Sequence, residues 1–190
     1  MTSFEFVFGL ISVVTSLALT QMLSGCVALY RNAERVRPSW RHALWVVTAF
    51  MVLIGNWAAF WRMRDTQVWS MFDVLSPLVF ISVLYAFCDM VLPDRQAERK
   101  VIDLREYHAN EGRRYKLLNI AFAVLSMIYL IHVSSNFEQW LQRAVFALVA
   151  ALIGVVALRA RRVWLDTATS IGMTVLGVIF MTHQLQQLSG

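Results

Sequence analysis

Residues 12–25, SVVTSLALTQMLSG, lie inside a long apolar run over residues 4–30, yet they carry a hydroxyl or amide group every few positions. A helix of about 20 mostly apolar residues is long enough to cross the hydrocarbon core of a bilayer. The run therefore predicts a membrane-spanning helix with a polar stripe. That stripe is either a packing surface for another helix or the lining of a path for a polar solute.

Five more apolar runs of similar length follow, at residues 42–61, 68–92, 115–135, 140–158 and 164–185. The 190 residues are 58% hydrophobic and 15% charged, with a mean hydropathy of +0.58. A soluble domain is closer to half apolar and a quarter charged. Because the runs are continuous and backbone groups must pair internally in lipid, helices are the expected spanning form. We predict an all-α integral membrane protein with six transmembrane helices in one domain, residues 1–190, with three-helix halves at 1–92 and 113–190.

The basic residues cluster in alternate connections between these runs. Fourteen of the 17 lysines and arginines lie in the first, third and fifth connections or at their edges. The positive-inside rule places these connections in the cytoplasm. Both chain termini are then expected on the periplasmic side of a bacterial inner membrane, and Trp40 and Trp164 fall at the cytoplasmic interface. The net charge of +5 is therefore a topology signal and does not predict nucleic-acid binding.

The longest connection, residues 93–114, interleaves apolar residues with charges. This pattern predicts a short amphipathic helix on the inner leaflet, although a solvated linker with a helical turn fits it equally well. The apolar positions are Val101, Ile102, Leu104 and Tyr107.

Several polar residues lie near the cytoplasmic ends of the predicted helices. His42 and His108 are expected to be solvated or to contact lipid headgroups. Arg113, Arg114 and Lys116 are expected to anchor the fourth helix. Asp166 is expected to cap the first turn of the sixth helix, as a carboxylate can.

The polar stripe of the first helix consists of Ser12, Ser16, Thr20 and Ser24, which recur every four residues and so share one side of a helix. Small residues at this spacing favour close helix packing. A polar lining for a solute path is the alternative. Gln21 is expected to face protein, because an unpaired amide is unfavourable in hydrocarbon.

A second group of polar residues gathers at the opposite, outer end of the predicted bundle. Ionisable residues within membrane spans usually face the bundle interior and have partners. We therefore predict an outward-facing polar vestibule, with Arg62 paired to Asp73 or Glu5, against the alternative of interfacial side chains that reach water. The predicted vestibule residues are Glu5, Asn56, Arg62, Asp73, His132, Asn136, His183 and Gln184.

His132 and His183 come from different helices and lie at similar depth near the outer end. Two facing imidazoles are suitable axial ligands for a b-type haem, or with a carboxylate they suit a transition metal. No Cys-x-x-Cys-His or His-x-x-x-His motif accompanies them. Whether any cofactor binds is left open by the sequence.

Three stretches carry a resemblance: FEFVFGLISVVTSLALTQMLSG, RVRPSWRHALWV and LREYHANEGRR. They resemble a widespread group of small bacterial membrane proteins with no assigned activity. The resemblance covers roughly the first two-thirds of the chain. It implies a bacterial inner-membrane protein of this topology, and it transfers no mechanism.

The sequence contains no complete catalytic set. No Gly-rich phosphate loop, Ser/His/Asp set or zinc-binding HExxH pattern lies on a span. We therefore predict a non-enzymatic inner-membrane protein that acts by helix association, as a homo-oligomer or as an accessory subunit of a membrane complex. The alternatives are a channel or transporter for a small solute or ion that uses the vestibule, and a haem or metal protein.

Overall fold

The computed structural model describes residues 2–65, 69–93, 101–133 and 137–186. Within these ranges the chain is almost entirely helical, with two two-residue strands. The elements are α1 Ser3–Arg31, β1 Val36–Arg37, α2 Trp40–Phe60, α3 Met71–Met90, β2 Ile102–Asp103, α4 Leu104–Asn110, α5 Gly112–Val133, α6 Phe137–Arg159 and α7 Val163–Gln186.

The six long helices coincide with the six apolar runs, so the all-α prediction is confirmed. By length and composition, α1, α2, α3 and α7 can each cross a membrane. The helices α5 and α6 fill the two remaining runs, and their membrane crossing stays a prediction.

Two of these helices begin at reciprocal capping boxes. The Thr2 hydroxyl accepts a hydrogen bond from the Glu5 backbone N–H, and the Glu5 carboxylate accepts one from the Thr2 N–H. Ser70 and Asp73 repeat the arrangement at the start of α3. Each box satisfies backbone donors that the first helical turn leaves without partners.

The long helices form a closed ring in the order α1, α3, α5, α6, α7, α2, each packed against the next. Aromatic side chains fill the space between α2, α3 and α5. The ring centroids of Phe80 and Phe122 are 4.4 Å apart, and those of Trp45 and Tyr115 are 5.5 Å apart. Trp45 and Tyr115 are completely buried, so this aromatic core joins helices that are distant in the sequence.

The described parts of the three arginine-rich connections lie together at one end of the ring, which we call the basic end. Strand β1 pairs in parallel with β2, with Val36 opposite Ile102, and this joins the α1–α2 connection to the segment before α4. Arg41 reaches Asp166 just after the α6–α7 connection. Which face of the membrane the basic end meets stays a prediction.

Helix α4 forms within the predicted segment 93–114 and packs on the basic end. Its Leu104 and His108 are buried, and the Tyr107 hydroxyl lies 2.8 Å from the Met90 carbonyl oxygen and 3.0 Å from that of Leu92. The Asp103 carboxylate caps its first turn. One face of α4 therefore covers the end of the bundle, and its placement on a lipid leaflet stays a prediction.

Candidate functional site: a buried polar ladder

Polar side chains join α2 to α7 at three successive levels. We call these three pairs the polar ladder. They are Arg41 with Asp166, Trp45 with Ser170, and Thr48 with Thr174. Because the residue numbers rise together on both helices, α2 and α7 run parallel, and the ladder fixes their register.

The inner two levels also use backbone carbonyls. The Trp45 indole donates to Ser170 Oγ at 3.0 Å, while the Ser170 hydroxyl donates to the Asp166 carbonyl at 2.7 Å. The hydroxyl oxygens of Thr48 and Thr174 are 3.1 Å apart, and both lie within hydrogen-bonding distance of the Leu44 carbonyl. Such bonds between helices are worth about 0.6 kcal/mol on average in a membrane. These bonds fix the register of α2 against α7 as well as adding stability.

Glycines allow α2 and α7 to approach closely beyond the ladder. A Cβ placed on Gly55 would lie 2.8 Å from the Phe180 ring and 3.1 Å from Met181 Cα. A Cβ on Gly177 would lie 3.3 Å from Met51 Cβ. Small residues at these positions therefore extend the contact toward the end of the helices opposite the basic end.

Asp166 also contacts two other helices. Its Oδ2 is 2.8 Å from Arg41 Nη1 and 2.9 Å from His108 Nε2, and its Oδ1 is 2.7 Å from Lys116 Nζ. Tyr115 adds a short hydrogen bond to the other side of His108. We call these five residues the Asp166 cluster, and it ties α2, α4, α5 and α7 together.

The ionised Asp166 carboxylate determines which ring nitrogen of His108 must carry a proton. An ionised carboxylate only accepts hydrogen bonds, so His108 carries its proton on Nε2 toward Asp166. The Tyr115 hydroxyl lies within hydrogen-bonding distance of Nδ1 on the other side of the same ring. Arg41 and Lys116 by themselves supply two positive charges against the one negative charge of Asp166. The cluster therefore carries at least one positive charge in excess.

Three expectations for the cytoplasmic ends were wrong. His42 and His108 are 1% and 5% exposed, so neither is solvated, because α4 packs over His42 and carries His108 on its own buried face. Lys116 points into the bundle to Asp166 and does not anchor α5 in headgroups. Asp166 lies in the first turn of α7, but its carboxylate contacts Arg41, His108 and Lys116 on other helices.

His42 is the least satisfied polar side chain of this region. Neither of its ring nitrogens has a hydrogen-bond partner among the residues that the structure describes. The rings of Tyr107, His108 and Tyr115 surround it at centroid distances of 5.5, 6.4 and 6.4 Å. Leaving a buried donor unpaired destabilises the folded state by about 1–3 kcal/mol.

The polar stripe of α1 points mainly away from the other helices of the bundle. Ser16 and Thr20 are exposed, and a Cβ on Gly9 would meet no atom within 4 Å. The Ser16 hydroxyl donates to the Ser12 carbonyl at 2.7 Å, and Ser12 Oγ accepts from the Trp57 indole at 3.1 Å. Of the stripe, Ser12 contacts α2, whereas Ser16 and Thr20 face outward.

Gln21 and Ser24, the other two α1 residues that were predicted to pack against a neighbouring helix, lie closer to the rest of the bundle. Ser24 and Gln21 are half-buried. The side of α1 that packs against the other helices is the one opposite the polar stripe. Its buried residues are Val7, Ile11, Ala18, Met22 and Gly25.

The predicted vestibule residues do not all share one environment. Asn56 and Gln184 are buried, at 4% and 5% exposure, toward the end away from the basic end. Glu5 and Asp73 cap their own helices, and His183 is exposed. The side chains of Arg62 and His132, and all of Asn136, lie outside the described residues, so the vestibule and the Arg62 ion pair stay predictions.

The haem or metal hypothesis also stays a prediction. In the described part of the chain, no group of three or more His, Cys, Asp and Glu side chains is placed to hold a metal ion. Of the proposed pair His132 and His183, the structure describes only the second side chain.

No protein-family model, curated protein or solved structure matches this chain. The resemblance to small bacterial membrane proteins therefore stays a prediction.

Proposed function

We propose that this chain is a non-enzymatic, multi-pass protein of the bacterial inner membrane that works by pairing with a second copy of itself through α1. The observation that carries the proposal is the outward direction of the α1 stripe. Gly9, Ser16 and Thr20 lie on the side of α1 opposite its buried face.

Small outward-facing residues suit a helix interface in lipid. Lipid tails are as apolar as leucine, so helices associate there through close packing and hydrogen bonds. Small side chains let two backbones approach, and the Thr20 hydroxyl can bond across the contact. The same stripe on a second copy is complementary to itself about a two-fold axis, which gives a closed dimer.

Disulfide crosslinking in native membranes tests this proposal. Replacing Cys26 and Cys88 by Ala removes the two natural thiols, and Ser16→Cys or Thr20→Cys then places one new thiol on the stripe. Mild oxidation is expected to convert most of the chain into a disulfide-linked dimer at either position.

Two control positions make the result specific. Ala18→Cys lies on the buried face of α1, and Val175→Cys lies on an outward face of α7. Neither should crosslink efficiently. Equal crosslinking at Val175 and Ser16, or none at either stripe position, would contradict the proposed pairing.

A transporter is the second candidate, because the α2–α7 pair buries polar groups at both ends. The Asp166 cluster lies at the basic end, and Asn56 and Gln184 are buried toward the other end. Flux measurements in liposomes test it with Asn56→Leu beside the wild type. A solute whose flux falls at least tenfold in this variant would support transport. Equal flux in the two proteins would count against it.

A further inference from the structure

The Asp166 cluster has more positive than negative charge. Arg41 and Lys116 both contact Asp166, and no second carboxylate contacts either of them in the described part of the chain. An excess charge in a low-dielectric region is unfavourable unless water or an opposite charge reaches it.

Arg41 is the more exposed of the two cations in the cluster. The Lys116 side chain is 8% exposed, whereas that of Arg41 is 22% exposed. Arg41 donates through Nη1 to Asp166. A guanidinium has five N–H donors, and the others have no protein partner among the described residues. These donors are available to an acceptor outside the protein.

Exposed tryptophans flank Arg41 on both helices of the pair. Trp40 begins α2 and is 55% exposed, and Trp164 lies in the first turn of α7 and is 62% exposed. Tryptophan prefers the headgroup level of a bilayer, with its ring against lipid and its N–H in the polar layer. If both rings lie at the headgroup level, the neighbouring Arg41 guanidinium is expected at the depth of lipid phosphates.

Further arginines surround the same end of the α2–α7 pair. Arg161 and Arg162 are exposed on the connection before α7, and the Arg162 carbonyl accepts the Asp166 backbone N–H at 3.1 Å. Arg37 lies four residues before Arg41, in strand β1; its side chain is 74% exposed, and its ion pair with Asp103 is long, at 3.6 Å. Basic pockets between helices at a membrane surface suit anionic headgroups.

We propose that the basic end of the α2–α7 pair binds the phosphate of an anionic phospholipid, with Arg41 as its main hydrogen-bond donor. The phosphate supplies the negative charge that the Asp166 cluster lacks. A planar guanidinium fits two phosphate oxygens at once, so this lipid contacts the outer side of Arg41 while Asp166 contacts the inner side. This site is separate from the α1 stripe and does not depend on the proposed pairing.

Thermal unfolding of the full chain in neutral detergent tests the site. Phosphatidylglycerol is expected to raise the unfolding midpoint in a saturable way, because a ligand that binds only the folded state stabilises it. Phosphatidylcholine and inorganic phosphate at the same concentration should leave the midpoint nearly unchanged. An equal rise with inorganic phosphate would overturn the choice of a lipid in favour of a free anion.

Two variants locate the binding site. Arg41→Gln should abolish the response to phosphatidylglycerol, but it also removes an Asp166 partner and can disturb folding. Arg162→Gln leaves the Asp166 side-chain contacts intact, and it should weaken apparent lipid affinity about fivefold, as expected for one nearby cation.

Arg31→Gln is the matched control, since Arg31 is an exposed arginine at the end of α1, and α1 does not neighbour α7 in the ring. It should bind phosphatidylglycerol as the wild type does. Equal losses in Arg31→Gln and Arg162→Gln would show diffuse attraction to the basic end and overturn the site. No preference of the wild type for phosphatidylglycerol over phosphatidylcholine would overturn it as well.

Discussion

Asp166 Oδ2 on α7 lies 2.8 Å from Arg41 Nη1 on α2, although 125 residues separate the two along the chain. The same carboxylate contacts Lys116 on α5 and His108 on α4. One acidic side chain therefore ties together helices from both halves of the sequence. Its removal is expected to affect the whole bundle.

Asp166→Ala is expected to lower the free energy of unfolding by about 3–5 kcal/mol, because the buried Lys116 then loses its counter-charge and the partly buried Arg41 loses its protein partner. Unfolding in mixed micelles with increasing denaturing detergent measures the change. Arg37→Ala is the control. It breaks an exposed 3.6 Å contact with Asp103, which is worth at most about 1 kcal/mol. Similar losses in the two variants would contradict the central role of Asp166.

The two buried histidines are expected to respond in opposite directions to the same substitution. His42→Leu removes ring nitrogens that have no partner in the described residues, so it should leave stability unchanged or raise it by about 1 kcal/mol. His108→Leu removes one of the three side chains that contact the Asp166 carboxylate and takes away the His108 partner of the buried Tyr115 hydroxyl, so it should lower stability by about 1–3 kcal/mol. The same unfolding assay compares them. A loss in His42→Leu as large as in His108→Leu would show that His42 has a polar partner.

A methyl group is expected to be tolerated at Gly9 and not at Gly55. The new Cβ at position 55 meets the Phe180 ring and the α7 backbone, so Gly55→Ala should lower stability by about 1–3 kcal/mol. Within one copy of the chain, Gly9→Ala adds a methyl group in open space, so the stability of the monomer should change by no more than about 0.5 kcal/mol. Thermal unfolding of the two variants checks this contrast, and equal shifts would argue against close α2–α7 packing.

Lowering the pH is expected to destabilise α4, because the Asp103 carboxylate that caps its first turn becomes protonated. The backbone N–H groups of Glu106 and Arg105 donate to the Asp103 carboxylate and hold its pKa below the ordinary value. Because folding lowers this pKa, the stabilisation is complete above the ordinary aspartate value and is lost as the pH falls through the lowered one. Hydrogen-exchange protection factors of the α4 amides should fall in that window. In Asp103→Asn this acid-dependent step should be absent, and its persistence would assign the effect to another group.

The extent of the helices was predictable because it depends on local composition. The run at residues 4–30 became α1, Ser3–Arg31, and the run at 164–185 became α7, Val163–Gln186. The length of an apolar segment and the need to pair backbone groups within it determine such bounds without knowledge of the neighbouring helices.

The Asp166 cluster was not predictable in this way, because it depends on which helices become neighbours. A histidine at the edge of an apolar run is solvated unless another element covers it. Helix α4 covers His42, and its own His108 is buried because α4 packs on the end of the bundle. The sequence did contain one indication of it. Arg41, Trp45 and Thr48 follow each other on α2 at steps of four and three residues, and Asp166, Ser170 and Thr174 on α7 at steps of four, so each set lies along one side of its helix. Matching polar faces on two apolar helices indicate that the helices contact each other.

The parallel register of α2 and α7 is the central claim, and an engineered disulfide tests it most directly. The Thr48 and Thr174 hydroxyls are 3.1 Å apart, so cysteines at both positions are close enough to form a disulfide. In a Cys26→Ala, Cys88→Ala background, the pair Thr48→Cys and Thr174→Cys should crosslink within one chain almost completely in native membranes, as peptide mass spectrometry would show. Thr48→Cys with Val175→Cys, which faces outward, should not. Failure of the first pair, or efficient crosslinking of the second, would contradict the register.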